Sequence, residues 1–486
     1  MSGIRKKVVS GFAWQFAERA MGQMVSFIVS VVLARILLPA EYGVVSVVLV
    51  FITFAGIFIT SGFGSSLVQK KEADDLDYST VFYFNLLISV VLYALLFLGA
   101  PWLSAYFGLP SLTPALRVMG LSLLVYAAGA VQKAYISRML LFKRLFWASL
   151  AGTLLSAAVG IWMALRGYGI WALIAQKMTD DVTDALVLWC TVRWRPRLMF
   201  SFSRMREMYR YGWKLVLAAV LNTANIKLRA FMIGKAYSVA DLAFFEKGNQ
   251  YPQLVVSDIS ASIGSVLFPV LSRRQDDPAE IKRLTRRAVR TSSFLMWPGM
   301  VILGVIARPL VGWMLTDKWL PCVPYFQIAC FSLAFMPIHT SNLQALKAVG
   351  RSDLFLALEV VKTVMSLAIL VFTLPLGVPA IALGAAAGSV LATFVNAFPN
   401  RKRIGYAYGE QVKDILPYML LSALAGAVAW PLSLAVRAPV PLMLLQAALG
   451  FGVYFGLAKL LRMEILTECT SLLREFVKSR AKQGGA

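Results

Sequence analysis

Polar side chains recur at helical spacing inside apolar stretches of this sequence. The first group begins with Gln15, Arg19 and Gln23, at intervals of four residues. An α-helix turns every 3.6 residues, so residues four apart lie on one face. Two later groups follow the same rule: Asn222, Asn225 and Arg229 with Lys227 on another side, and Glu246, Gln250 and Gln253 with Lys247 and Asp258 beside them.

These polar stripes predict a cavity between membrane helices. A charged side chain at the centre of a bilayer costs about 2.5–3.5 kcal/mol on insertion scales, so such residues normally face a cavity or a partner. Arg19 and Arg229 favour a water-filled substrate cavity with cationic groups. The alternative is that the polar side chains only hydrogen-bond neighbouring helices together. Both interpretations stay open for Lys227 and Lys247, because long side chains can extend to the membrane interface.

Carboxylates indicate a second kind of chemistry. Asp180, Asp181 and Asp184 lie near the middle of one apolar stretch, one turn after Lys177. Carboxylates within membrane helices bind Na⁺ or exchange a proton in transporters. These three residues, together with Asp258, are therefore candidates for coupling to H⁺ or Na⁺. The alternative is a structural set of salt bridges with Lys177 or a neighbouring helix.

The composition excludes several classes of protein. His339 is the only histidine, which excludes zinc chemistry of the HExxH type, and no glycine-rich phosphate loop is present. We therefore expect no cofactor other than a coupling ion.

The net charge is +24, but the basic residues lie between apolar stretches, so nucleic acid is not the predicted partner. His339, Cys322 and Cys330 are predicted to pack in the interior.

The apolar stretches themselves predict the fold class. Hydrophobic residues make up 59% of the 486 residues and charged residues 15%, against about 25% charged in soluble domains. Runs long enough to cross a hydrocarbon core of about 30 Å recur along the chain. They lie at about 11–37, 42–68, 79–103, 113–137, 145–165, 169–192, 209–235, 240–270, 290–315, 323–346, 353–374, 378–399, 415–436 and 441–461. The sequence therefore predicts an all-α, polytopic membrane protein with about fourteen transmembrane helices.

Basic residues set the predicted orientation. Lys and Arg concentrate in alternate connecting segments, with the densest groups at 193–210 and 271–290. Because Lys and Arg stay in the cytoplasm in short loops, both termini are predicted to be cytoplasmic. The same two segments are predicted to attract anionic membrane lipids.

A weak internal repeat predicts how the helices are grouped. Ala40, Glu41 and Gly64 align with Ala240, Asp241 and Gly264 at an offset of 200 residues. The offset spans six predicted helices, an even number, so the two copies have the same orientation and a substrate site is expected between them. The predicted parts are a six-helix lobe at 1–200, a second at 201–405, and an extra helix pair with a basic tail at 406–486.

Several short stretches carry a family resemblance, because they occur in a shared order along nearly the whole chain. They are residues 33–43, 167–173, 194–201, 245–253, 266–277, 318–324 and 348–354. In these stretches the chain resembles the polysaccharide transporter family of the multidrug/oligosaccharidyl-lipid/polysaccharide (MOP) flippase superfamily. It is most similar to bacterial flippases for lipopolysaccharide (O-antigen) and exopolysaccharide of the colanic-acid type.

The resemblance implies a function. It implies that the chain flips an undecaprenyl-diphosphate-linked oligosaccharide across the bacterial inner membrane by alternating access, for the synthesis of a surface polysaccharide. It also implies two six-helix lobes around a central cavity, often with two extra helices. Glycosyltransferases and a polysaccharide polymerase are expected partners. Arginine matches the oxygens of a diphosphate bidentately, which suits Arg19 and Arg229.

Two other functions compete with this one. A multidrug/cation antiporter of the same superfamily would favour an acidic, aromatic cavity rather than one with Arg and Lys. A membrane polysaccharide polymerase or ligase would need large outward loops with catalytic groups, whereas the predicted outward loops here are short. We therefore expect a transporter and not an enzyme.

Overall fold

The computed structural model of the protein describes residues 21–60, 67, 73–139, 141–274, 277–349, 352–468 and 470. Helices make up nearly all of these residues, and no strand occurs among them. Contacts divide the chain into an N-terminal unit, Met1–Ala243, and a C-terminal unit, Phe244–Ala486. The predicted all-α class is confirmed.

The first helices in chain order belong to the N-terminal unit, and the ninth crosses its boundary. They are α1 (Met21–Ile36), α2 (Pro39–Thr60), α3 (Asp75–Phe107), α4 (Leu112–Gly120), α5 (Ser122–Met139), α6 (Phe142–Leu165), α7 (Ile170–Thr191), α8 (Phe202–Ala236) and α9 (Val239–Ser272).

The remaining helices belong to the C-terminal unit, with two short 3₁₀ helices at Asp317–Cys322 and Leu374–Leu376. They are α10 (Pro278–Val305), α11 (Ala307–Leu315), α12 (Val323–Leu333), α13 (Met336–Ala348), α14 (Ser352–Thr373), α15 (Val378–Arg403), α16 (Tyr408–Ala429), α17 (Leu432–Ala435) and α18 (Pro439–Leu460).

The long helices of this protein are of two kinds, which differ in the number of charged side chains they carry. Among the described residues, ten helical segments are long and apolar enough to cross a membrane, and α1 is a shorter apolar helix. Three further helices, α7, α8 and α9, have 22, 35 and 34 residues but carry several charged side chains. Among the described residues, these three helices carry the charged residues of the predicted sites. The number of fourteen membrane helices stays a prediction, since residues 1–20 lie outside the described residues.

The segment between α7 and α8, residues 192–201, is fixed to the start of α3 in the N-terminal unit. Trp194 is buried, with its ring centre 5.6 Å from that of Tyr78. The backbone N–H groups of Arg197 and Ser201 donate hydrogen bonds to the hydroxyls of Ser79 and Thr80. This connection is therefore a well-packed part of the N-terminal unit.

Aromatic residues build the core of the C-terminal unit. Phe294 of α10 packs edge-on against Tyr418 of α16 at 5.6 Å, and the Tyr454 hydroxyl of α18 donates to the Phe294 carbonyl at 2.9 Å. Gly426 allows α16 to approach α10 closely, because a Cβ there would lie 2.6 Å from Val301 Cγ1. The three helices are held together by this cluster.

The internal repeat seen in the sequence has a structural counterpart: the turn between α1 and α2 resembles the turn between α8 and α9. Helix α1 ends at Ile36 and α2 begins at Pro39, while α8 ends at Ala236 and α9 begins at Val239. Both turns carry an acidic residue that caps the next helix: Glu41 Oε2 accepts from the Leu38 N–H at 2.7 Å, and Asp241 Oδ2 from the Ser238 N–H at 3.3 Å. The boundaries predicted for the lobes stay a prediction.

Candidate functional site

The charged residues predicted on the sixth apolar stretch form a compact cluster on α7. Lys177 Nζ lies 2.6 Å from Asp181 Oδ1 and 3.8 Å from Asp180 Oδ2. Asp184 Oδ2 is 2.6 Å from Nζ of Lys133, which belongs to α5. Residues four apart on α7 thus share a face, as predicted, and one of them pairs with a neighbouring helix.

Two carboxylate oxygens of this cluster lack a partner. Asp181 Oδ2 and Asp184 Oδ1 are buried, and neither has a hydrogen-bond partner among the described residues. Lys177 and Lys133 contact the aspartates as expected if the cluster is a structural set of salt bridges. Ion coupling at Asp180, Asp181 and Asp184 stays a prediction. No group of three or more His, Cys, Asp or Glu side chains placed to hold a metal ion occurs in the described part of the chain.

Two glycines of α6 let α7 approach closely beside the cluster. A Cβ at Gly152 would lie 3.2 Å from Asp180 Oδ1, and a Cβ at Gly160 would lie 2.8 Å from Gln176 Cβ. A side chain at either position would therefore displace the polar residues of α7. The glycines fix where Gln176 and Asp180 lie.

A cavity of about 300 Å³ lies next to the cluster, within the N-terminal unit, and we call it the N-unit cavity. Helices α1, α2, α6 and α7 line it. Its polar lining includes Lys177 and residues from all four helices: Ser26, Tyr42, Ser46, Ser156, Gln176 and Asp180. Val45, Leu49 and Leu173 form apolar parts of the wall. Ser26, on the same helix as the first predicted stripe, thus lines one cavity together with Lys177 and Asp180.

The structure describes only part of the first predicted stripe. Gln15 and Arg19 lie outside the described residues. Gln23 is half-buried on α1 and takes part in an interaction within the protein. The role of this stripe in substrate binding stays a prediction.

Helix α8 carries the second predicted stripe and packs against α2 and α3. Phe231 fixes it there through edge-on contacts with Phe51 and Phe107 at 6.0 and 5.4 Å. Arg229 is half-buried and takes part in an interaction. Asn225 Oδ1 is buried and has no hydrogen-bond partner among the described residues.

Two further candidate residues of the second predicted set also lie on α8. Lys227 is half-buried on another side of α8. The side chain of Asn222 lies outside the described part of the chain.

The third predicted set, on α9, divides between two sides of that helix. Lys247 is 5% exposed, with Nζ about 5.8 Å from the ring centre of Tyr251 and 5.9 Å from that of Trp319. It therefore lies inside the C-terminal unit. Gln250 and Gln253 are exposed.

Two candidates on α9 remain, Glu246 and Asp258. Glu246 is half-buried. The side chain of Asp258 lies outside the described residues.

Sequence analysis missed a buried polar network in the C-terminal unit. Asn342 of α13 exchanges hydrogen bonds with Gln411 of α16 at 2.7 and 3.0 Å and accepts one from Asn400 of α15 at 2.6 Å. Arg286 binds Asp414 with two hydrogen bonds of 2.8 and 2.7 Å. No spacing rule finds this network, because each helix contributes only one or two of its members.

Histidine and cysteine occupy the interior positions predicted for them. His339 Nδ1 lies 3.0 Å from Asn396 Nδ2, and His339 Nε2 lies 3.5 Å from Ser389 Oγ. Cys322 and Cys330 are buried and form no disulfide. Tyr406, in the segment before α16, donates to Asp414 Oδ2 at 2.8 Å, and burial raises the pKa of its hydroxyl.

Comparison with known proteins defines the family. The sequence model described as "Polysaccharide biosynthesis protein" matches residues 32–324. The chain therefore belongs to this family of polysaccharide biosynthesis proteins. It is 23% identical to the succinoglycan biosynthesis transport protein ExoT of Rhizobium meliloti (strain 1021), over 99% of this chain and 98% of ExoT.

Solved structures show the same fold. The lipid II flippase MurJ, in an inward closed conformation, superposes with a TM-score of 0.76 over 94% of this chain and all of MurJ, at 14% identity. An inward-facing multidrug resistance transporter of the MATE family, in the MOP superfamily, gives a TM-score of 0.62 over 80% of this chain and 98% of its own, at 15% identity. The fold implied by the predicted resemblance is confirmed.

Proposed function

We propose that the protein flips a lipid-linked oligosaccharide of the undecaprenyl diphosphate type from the inner to the outer leaflet of the bacterial cytoplasmic membrane. The observation that carries this proposal is a charged cluster and a polar cavity inside a helical membrane protein of the polysaccharide biosynthesis family. ExoT, named as a transport protein, spans the whole chain, and MurJ, named as a lipid II flippase, has the same fold. Alternating access is the mechanism that we assign.

The cationic residues suit the diphosphate headgroup. A diphosphate is a compact polyanion, and an arginine at about 4 Å attracts a unit charge by about 4 kcal/mol at an effective dielectric constant of 20. Arg19 and Arg229 are the proposed stations for the headgroup, with Gln15, Gln23, Asn222 and Asn225 beside them. Lys227, Glu246, Lys247, Gln250 and Gln253 complete the proposed substrate set. The polyprenyl tail stays in lipid during transfer.

Coupling to H⁺ or Na⁺ is the second part of the proposal. Asp181 Oδ2 and Asp184 Oδ1, which have no hydrogen-bond partner among the described residues, are the proposed acceptor atoms for either ion. Asparagine at Asp180, Asp181, Asp184, Glu246 and Asp258 should remove the dependence of transport on an ion gradient. Unchanged gradient dependence in that variant would place coupling elsewhere.

Two alternative functions have less support. A multidrug antiporter shares the fold, but the family match is to polysaccharide biosynthesis proteins. A polymerase or ligase is opposed by the relative of nearly equal length, which is named as a transport protein.

The proposed setting follows from the same function. Both termini lie in the cytoplasm. The cytoplasmic membrane is the proposed location, and glycosyltransferases and a polymerase act before and after transfer.

Complementation of a flippase-deficient bacterial strain tests the proposal. The wild-type chain should restore surface polysaccharide, with protein amount checked by immunoblot. Reconstituted vesicles should also transfer a fluorescent undecaprenyl-diphosphate-linked sugar between leaflets. A well-expressed protein that does neither, tested with several sugar repeats, would contradict the proposal.

A further inference from the structure

We propose that the N-unit cavity binds one uncharged sugar ring of the transported substrate. This inference rests on the function proposed above and adds a subsite to it. The diphosphate and the sugars of a lipid-linked oligosaccharide are chemically different, so separate places in the protein can recognise them. The N-unit cavity has the charge, the size and the lining expected for the sugar part.

Charge distinguishes a sugar from a diphosphate in this cavity. Lys177 faces two carboxylates, Asp181 at 2.6 Å and Asp180 at 3.8 Å, so its positive charge is already balanced. With Lys133 bound to Asp184, the described part of the cluster holds two ammonium groups against three carboxyl groups. A polyanion would be repelled by the carboxyl group in excess among these described groups. A neutral polyol meets no such repulsion, and its hydroxyls donate to carboxylates and accept from amides.

Size and lining agree with one ring. Binding sites for small molecules span about 300–1,000 Å³, and the cavity has about 300 Å³. It therefore has room for a single sugar ring. Gln176 and Asp180 present polar atoms, while Val45 and Leu173 offer apolar surface for the C–H faces of the ring.

Close packing of α6 confines the Cβ and Cγ atoms of Gln176 and the carboxyl group of Asp180. Gly160 lies against Gln176, and Gly152 lies against Asp180, at distances that leave no space for a Cβ without movement. Ordered side chains lose less conformational freedom when a ligand binds. The two residues are therefore arranged before the sugar arrives.

Thermal unfolding of the purified full-length protein tests this subsite. The probes are the methyl glycosides of glucose, galactose, mannose and N-acetylglucosamine, and inorganic pyrophosphate at equal ionic strength. At least one glycoside should raise the unfolding midpoint in a saturable manner. In Ser46→Phe, which fills the cavity from α2, this shift should be lost. In Asp180→Asn, half-saturation should need about tenfold more glycoside, which corresponds to losing about 1.4 kcal/mol of charged hydrogen bonding.

Ser203→Phe is the matched control, because Ser203 is exposed on α8 and does not line the cavity. It should keep the full shift. Should Ser46→Phe fail to fold, Ser46→Cys in a chain with its four native cysteines replaced by serine gives a second measurement. The glycoside should slow maleimide labelling of that cysteine, and pyrophosphate should not.

Three outcomes overturn the inference: no glycoside gives a shift, the shift survives in Ser46→Phe, or only pyrophosphate protects the cysteine at position 46. Failure of the subsite is distinguishable from failure of the proposed function. If no glycoside binds but the wild-type chain restores surface polysaccharide, only the subsite is wrong. If a glycoside binds while complementation and vesicle transfer both fail, the transport function is wrong.

Discussion

Lys177 balances the charge of two carboxylates in the α7 cluster. Its ammonium group contacts Asp181 at 2.6 Å, and Asp181 Oδ2 already lacks a partner among the described residues. Removing the lysine leaves a buried carboxylate without its counter-charge, which costs more than removing both partners together.

We therefore expect Lys177→Met to destabilise the protein by about 1–3 kcal/mol, the cost of leaving a charged acceptor unsatisfied. The double variant Lys177→Met/Asp181→Leu should recover part of that loss. Thermal unfolding in detergent measures both. Lys362→Met serves as the control, since Lys362 makes a similar 2.6 Å pair with Glu359 on α14 and is not a lining residue of the cavity. Lys362→Met should leave transport intact. Equal loss of transport in Lys177→Met and Lys362→Met would contradict a special role for Lys177.

Arginine geometry gives the second prediction at the residue scale. Arg19→Ala and Arg229→Ala should each reduce transport strongly while the protein still inserts and folds. Arg19→Lys should retain part of the activity, because the charge persists but the bidentate fork is lost. Complementation of a flippase-deficient strain measures the effect. Normal surface polysaccharide from a well-expressed double alanine variant would remove both residues from the mechanism.

The sequence predicts chemistry-bearing residues better than their surroundings. Helical spacing places Asp180 and Asp184 on one face, as found. It does not identify Lys133 as the partner of Asp184, because that contact joins two helices. Ser46 and Tyr42 have no distinctive pattern in the sequence, and only packing shows that they line a cavity.

At the scale of elements, a buried tryptophan packs the segment between α7 and α8 against α3. Trp194 is 7% exposed and packs against Tyr78 and Phe82. Its Nε1 has no hydrogen-bond partner among the described residues. The ring therefore contributes through packing.

Trp194→Ala should destabilise the protein by about 3–5 kcal/mol, the usual cost of removing a buried large aromatic side chain. Trp194→Phe should cost less, since it keeps an aromatic ring, leaves a smaller cavity than alanine and loses an N–H that has no hydrogen-bond partner among the described residues. Thermal unfolding and limited proteolysis of residues 192–201 compare the two variants. Equal proteolysis of both and of the wild type would show that the segment is not held by this residue.

Apolar patterns predict most helices correctly but misplace several ends. The fourth predicted stretch is divided into α4 and α5 next to Leu121, and α10 begins at Pro278 instead of about 290. The early start of α10 has a local cause: Asp277 caps the helix by accepting from the Glu280 N–H, and Pro278 fits its first turn. Charged turns of this kind extend a helix beyond the apolar stretch.

Orientation in the membrane is a property of the whole molecule. The segments at the two ends of α7 are predicted to lie on opposite sides of the membrane. Leu198, 96% exposed, follows α7 on the predicted cytoplasmic side, and Tyr168, 52% exposed, precedes it on the predicted outer side.

Single cysteines at these two positions, in a chain without native cysteines, test the orientation. In intact cells, Tyr168→Cys should react with an impermeant thiol reagent and Leu198→Cys should not. After membrane disruption both should react, which controls for accessibility. Labelling of Leu198→Cys from outside would reverse the proposed orientation.

The salt bridge between Lys133 and Asp184 has a consequence for how the protein is made. Alone, α7 would carry three carboxylates into the bilayer, each at a cost of about 2.5–3.5 kcal/mol. Lys133 lies on α5, which leaves the ribosome earlier, and it contacts Asp184 at 2.6 Å. We therefore expect α5, α6 and α7 to leave the translocon as one group, with the cation synthesised before the acid that it neutralises.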